Sequence, residues 1–166
     1  MLKKRTNLLK ENKMNRYVQL AALFATSILL QTACVSAPEF TDVRDKDWKL
    51  MEVRAGKDVI FQRSTLTQEN FKDIYTLRFD AERASGAGCP NRYFSPYTLA
   101  EKQAISIQPI ASTLMLALSE PEQLKEGEFF AYLGKADQWN LVKGNLELRS
   151  KNNEGAAVVL VFSLAD

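Results

Sequence analysis

The residue in this chain best suited to covalent chemistry is Cys89, set in the stretch SGAGCPNRYFSPYT from Ser85 to Thr98. A thiol becomes nucleophilic when a nearby cation or helix N-terminus lowers its pKa and solvent can reach it. Arg92, three residues further on, could supply that charge. The chain contains no histidine, so a Cys–His nucleophile cannot form within it. The glycines and prolines around Cys89 favour a different role, a small apolar side chain closing a tight corner before an aromatic strand. The residues therefore predict packing at Cys89, no catalytic residue and no enzymatic activity.

Other reactive constellations fare no better. Structural and catalytic zinc sites draw on His and Cys, and calcium loops need acidic residues at fixed spacing around a turn glycine. The run DVRDKD (Asp42–Asp47) has Val43, Arg44 and Lys46 at the alternate positions and no glycine, so it reads as solvated chain. SGAGCP lacks the lysine and following helix of a phosphate loop. Asp80 and Glu82 could serve as paired carboxylates for glycoside chemistry, but an exposed charged strand end explains them more simply. No metal and no cofactor is expected.

The elements that must position these residues are mostly strands. In YTLRFD, Tyr75, Leu77 and Phe79 alternate with Thr76, Arg78 and Asp80, the pattern of a half-buried strand. DWKLMEV places Trp48, Leu50 and Glu52 on one face, with Lys49, Met51 and Val53 on the other. DVIFQ, NRYFSPYTL, AISIQPI, QWNLV, NLELRS and AAVVLVFSL supply further strands, and Pro96 predicts an edge or a bulge in its segment. VKGN and NNEG supply the turns joining the last three strands as hairpins. In SEPEQLKEGEFFAYLGK, Ser119 and Glu122 have capping-box spacing and Pro121 falls in a first turn, so a helix is predicted from there to Gly134. Residues 64–73 suggest another helical turn.

The N-terminal region reads as an address. Six Lys and Arg residues precede an apolar run at Tyr17–Leu30, which is shorter than a membrane span and is followed by QTAC ending at Cys34. Either Met1 or Met14 could start it. Thr32 and Ala33 before Cys34 suit lipoprotein processing, in which that cysteine is acylated, for instance with palmitate; Gln31 departs from the usual aliphatic residue. The competing cut after VSA would place Pro38 at the new terminus, a poor site for ordinary signal peptidase. The expected organisation is a signal peptide over 1–33, a polar tether over 34–45 and one domain over 46–166. Of 22 Lys and Arg six lie before Cys34, and of 20 Asp and Glu one does, leaving 16 against 19. The mature chain is thus acidic, and a nucleic-acid footprint has no support.

DWKL near the start, LRF, GCPNRYFSPYT, ISIQPIASTLM, an acidic segment with FFAYL, WNLVKGNLEL and a final VVLVF occur in the order seen in META domains. Over Trp48–Phe162 the chain resembles this HslJ-like family of small bacterial envelope domains. The resemblance implies a mainly β fold: a small, partly open antiparallel β-barrel with one or two short helices packed against it. It also suggests a part in stress tolerance and secretion, and it brings no catalytic residues. Family members carry GCN and later STRMAC. Here Pro90 separates Cys89 from Asn91, Leu114 stands in place of the arginine, and Ala117 stands in place of the second cysteine. The disulfide implied by that arrangement thus lacks its partner.

The aromatics are the remaining candidates. In so small a barrel, inward positions are normally filled by side chains, whereas a cracked interior would form a slot for an acyl chain or a peptide. Asn91, Arg92, Tyr93, Tyr97 and Trp139 are the candidate contacts for a hydrophobic ligand or protein partner at the barrel mouth. The sequence thus predicts a monomeric envelope lipoprotein, bound through Cys34 to the outer membrane and facing periplasm or surface. Its work would be binding or stress tolerance, alternatively that of a lipocalin- or inhibitor-like module.

Overall fold

The computed structural model describes residues 37–165; the leader and Cys34 lie outside the described residues. Ten antiparallel strands follow one another: β1 (Asp47–Ala55), β2 (Asp58–Gln62), β3 (Thr76–Phe79), β4 (Arg83–Ala87), β5 (Arg92–Ala100), β6 (Ala104–Ile107), β7 (Ala111–Ser112), β8 (Gln138–Val142), β9 (Asn145–Lys151) and β10 (Ala157–Leu164). Among the described residues one α-helix, α1 (Glu126–Gly134), lies between β7 and β8. The sheet runs β10-β9-β8-β6-β5-β4-β3-β1, and pairing of β1 with β10 from Trp48↔Leu164 to Ala55↔Val158 closes it into an eight-stranded barrel. β2 and β7 are short additions on β1 and β5. The thinnest seam joins β6 to β8, through the Ala104↔Gln138 bridge and the bonds Ile105 N–H to Asp137 O and Trp139 N–H to Gln103 O.

Alternation builds most of this. Tyr75, Leu77 and Phe79 all point into the core as predicted, as do Leu146 and Leu148 of β9. β1 departs from simple alternation. A bulge at Met51 shifts the register between Leu50 and Glu52, so Trp48, Leu50 and Val53 are buried while Glu52 turns outward. One extra residue reverses the phase of all that follow it. The Leu50 carbonyl beside the bulge accepts from Nε of Arg63, whose guanidinium also reaches the carbonyl of Ile74 at 2.7 Å. That guanidinium lies among carbonyls, and burial lowers its pKa.

Pro96 lies neither at an outer edge nor in a bulge. It sits where the partner of β5 changes from β7 at Phe94 to β6 at Tyr97, and its carbonyl accepts from Gln108 N–H. A missing N–H is tolerated at such a joint. The hairpin of β8 and β9 turns on Lys143 and Gly144, both at positive φ (52° and 84°), the two-residue geometry whose twist matches the strands.

The two barrel ends are closed differently. At one, α1 buries Phe129, Tyr132 and Leu133, and Tyr75 donates its hydroxyl to the Leu124 carbonyl at 2.5 Å. The helix begins at Glu126 instead of near Ser119 as the capping-box spacing predicts. Tertiary contacts hold residues 119–125 out of helical form: Asn70 binds the Ser119 hydroxyl, and Leu124 is fully buried. Glu120 accepts the Glu126 N–H and Glu128 accepts the Lys125 N–H, so carboxylates satisfy donors at the helix start. Residues 63–65 and 69–71 form short 3-10 turns, with Phe71 buried.

At the other end, Phe40 packs on Phe79, Tyr97 and Trp139 with ring centroids 5.1–5.6 Å apart. Val43 is fully buried and its carbonyl accepts the Trp48 indole N–H at 2.9 Å. The segment read as tether up to Asp45 therefore joins the barrel from Phe40 onward, because Val43 enters the core and the half-buried Phe40 packs against it. Between the plugs, Trp48, Phe61, Tyr75, Phe79, Phe129 and Phe162 fill the interior.

Candidate functional site

The corner that carries Cys89 is held from α1. The Glu126 carboxylate accepts the N–H of Cys89 at 2.5 Å, the N–H of Asn91 at 2.7 Å and Nδ2 of Asn91 at 2.6 Å. Gly88 leaves room for these side chains, since a Cβ there would stand 2.4 Å from that carboxylate and 2.7 Å from the Phe130 ring and one of the two would have to shift. The Cys89 thiol faces the Ser119 carbonyl at 3.7 Å and is buried. Burial first, then the charges of Glu120 and Glu126, push its pKa up to about 11. A thiol so placed stays protonated, which is the reverse of nucleophile activation. Among the described residues no group of three or more His, Cys, Asp or Glu is arranged to hold a metal.

A groove of about 420 Å³ opens on the outer face of β3, β4 and β5. Strand register creates it. Asp47 pairs with Arg78, Arg78 with Ser85, Ser85 with Phe94, and Phe94 with Ala111, so one row of side chains crosses five strands. Small residues in β4, Ser85 and Gly86, leave a depression between the long side chains of Arg78 and Phe94. Gly86 also lets β3 approach: a Cβ there would meet the Thr76 carbonyl oxygen at 2.1 Å. Beneath the groove the Tyr93 hydroxyl donates to that same oxygen at 2.7 Å. Full burial pushes the Tyr93 pKa far up.

Charge along the rim is uneven. Arg78 pairs with Asp47 at 3.2 Å and Arg83 with Asp80 at 3.4 Å. Backbone N–H groups of Glu82 and Arg83, then the Arg83 side chain, hold the Asp80 carboxyl below its ordinary pKa. Arg83 also lies over the half-exposed Phe94 ring, 5.8 Å from its centroid. Arg92 has no carboxylate within salt-bridge distance among the described residues. The groove thus offers one uncommitted guanidinium beside an exposed aromatic ring, suited to an anionic group attached to an apolar one.

The five contact residues expected from sequence are divided by the fold. Arg92 and Tyr93 line the groove. Asn91 lies under its rim with its side chain fully engaged: Oδ1 accepts from the Thr113 hydroxyl and Met115 N–H, and Nδ2 donates to Glu126 and the Met115 carbonyl. Tyr97 and Trp139 sit at the opposite end against Phe40, with the Tyr97 hydroxyl on the Asp80 carbonyl. Arg78, Arg83, Ser85 and Phe94 were not anticipated. The outward phase of RFD and RYFSP hints at them, but only the pairing register brings them together.

A closed barrel with one capping helix and an outer groove defines the class of small β-barrel domains. A model of the META domain family matches residues 41–163, and the chain belongs to that family. The NMR structure of a protein from Burkholderia xenovorans is similar in fold, with a TM-score of 0.56 and 18% identity, covering 81% of this chain and 96% of that one. No curated protein matches the chain.

Proposed function

We propose that this META domain is a non-enzymatic binding module of the bacterial envelope, carried on the outer membrane by acylated Cys34 and serving envelope stress tolerance. Its ligand is an extended protein segment that presents a carboxylate to Arg92 and an apolar side chain to Phe94. The observation that supports this reading is the row Arg78–Ser85–Phe94 with Arg92, unpaired among the described residues, beside it. A lipocalin-like ligand inside the barrel would have to displace Phe40 or α1 from a filled core, which makes the outer groove the preferred site.

Two experiments address the two parts. Labelled palmitate should enter the wild-type protein and not Cys34→Ser, which should leave the membrane fraction; unchanged labelling would remove the anchor from the proposal. For the groove, the probe is the blocked dipeptide acetyl-Glu-Phe-amide. Its titration should shift the amide resonances of Arg92, Tyr93 and Phe94 in the wild type and not in Arg92→Glu. Shifts confined to other faces would remove the groove.

A further inference from the structure

Between β7 and α1 the chain exposes a run of apolar residues that none of the other described residues covers. Leu114, Leu116 and Leu118 are 98%, 89% and 99% exposed, while Met115 is 61% exposed and Ala117 only partly exposed. This period of two sets the leucines on one face of a stretch that runs without regular structure from Thr113 and bends at Leu118. Its backbone has a paired side and an open one. Thr113 N–H donates to the Arg92 carbonyl, and Met115 gives both its N–H and carbonyl to Asn91. Backbone groups alternate in direction along a strand, so those of Leu114 and Leu116 point to the opposite, free edge. Among the described residues the backbone groups of Leu114, Leu116, Ala117 and Leu118 have no protein partner.

We infer that residues 113–119 form a strand-addition edge that pairs antiparallel with the same segment of a second copy. An unpaired apolar edge is a template for another strand. The sequence T-L-M-L-A-L-S is self-complementary about Leu116. Antiparallel pairing centred there sets Leu114 opposite Leu118, Leu116 opposite itself and Thr113 opposite Ser119, with no like charges facing. The pairing consumes the free edge on both copies, so it closes as a two-fold dimer and does not propagate. Insertion into a lipid bilayer fits less well. It would bury the same backbone groups without partners, and Glu120 and Glu122 follow directly where an anionic surface calls for basic residues. The dimer departs from the monomer expected from sequence and does not depend on the groove.

The test is cysteine cross-linking of the full chain in membranes under mild oxidation, read by non-reducing electrophoresis. Leu116→Cys should give a disulfide-linked dimer several-fold above both wild type and Val59→Cys, a half-exposed control on β2. A hydrogen-bonded antiparallel pair holds the two Cα atoms about 5.5 Å apart, within disulfide reach. Leu114→Cys and Leu118→Cys should each cross-link weakly alone and strongly when co-expressed. Equal yields from every variant would mean random collision, and no yield above wild type would mean that lipid or another protein covers the segment; either result overturns the inference. All these positions are exposed, so an unchanged circular dichroism spectrum is expected for each variant.

Discussion

Asn91 and Glu126, on β5's leading corner and the first turn of α1, form a two-point clasp: Asn91 Nδ2 donates to Oε2 at 2.6 Å and Asn91 N–H to Oε1 at 2.7 Å. This clasp, with Cys89 N–H as a third donor, ties the capping helix to the barrel wall. Glu126→Ala strands three donors in a partly buried site, and bonds to a charged acceptor are worth about 1.5–3 kcal/mol. A loss of about 3 kcal/mol is expected in urea unfolding, with Glu126→Gln recovering part of it. A loss below about 0.5 kcal/mol for Glu126→Ala would show that the clasp contributes nothing.

Cys89 should resist alkylation in the folded protein. With the thiol pushed up to about 11, roughly a thousandth of it is thiolate at pH 8. Iodoacetamide at that pH should label the urea-unfolded chain readily and the native chain only slowly. Fast native labelling would reopen a reactive role.

Alkaline pH should destabilise the fold in two stages. Burial raises the Cys89 thiol and the Tyr75 and Tyr93 hydroxyls, so the folded chain holds protons that the unfolded chain releases near pH 8.5 for Cys and near pH 10 for Tyr. The stabilisation is complete below those unfolded values and is lost as pH rises toward the folded ones. The urea midpoint should be flat from about pH 7 to 8 and fall above about pH 9, and Cys89→Ser should remove the earlier stage alone. A midpoint that stays level to pH 11 would contradict this.

Gly86→Ala should be among the most damaging single-methyl changes in the barrel. Its Cβ would lie 2.1 Å from a backbone oxygen of β3, an atom that cannot rotate away. The expected cost is about 3 kcal/mol, at the top of the usual range for an added methyl. Gly127→Ala, where a Cβ meets nothing within 4 Å, is the matched control and should be neutral or slightly stabilising.

The groove should separate binding from stability. Arg92 has no ion pair among the described residues and Phe94 is 49% exposed, so Arg92→Ala and Phe94→Ala should each move stability by less than about 0.5 kcal/mol. Each should weaken acetyl-Glu-Phe-amide binding roughly tenfold, the worth of one charge-assisted or aromatic contact. Calorimetry on the two variants distinguishes this from a structural effect, in which affinity and unfolding midpoint would fall together.

What the sequence determined by itself was local. Side-chain direction alternates from one residue to the next, so Tyr75, Leu77 and Phe79 could be assigned inward, and Lys143–Gly144 could be assigned a hairpin turn. The ordered motifs were enough to indicate the META family and a β-barrel, and the absence of histidine excluded Cys–His chemistry. What only the tertiary structure decided depends on partners distant in the chain. The bulge at Met51 follows from how β1 meets β10 and how Arg63 takes the Leu50 carbonyl. The start of α1 was displaced from Ser119 to Glu126 because the burial of Leu124 outweighed a local capping signal. Phe40 packs half-buried against the core because distant aromatics, Phe79, Tyr97 and Trp139, present their rings to it. The groove needs Asp47 beside Arg78, 31 residues away, and Phe94 in register with both. Such neighbours carry no local signature, because pairing register is set by the closure of the whole barrel and not by any one strand.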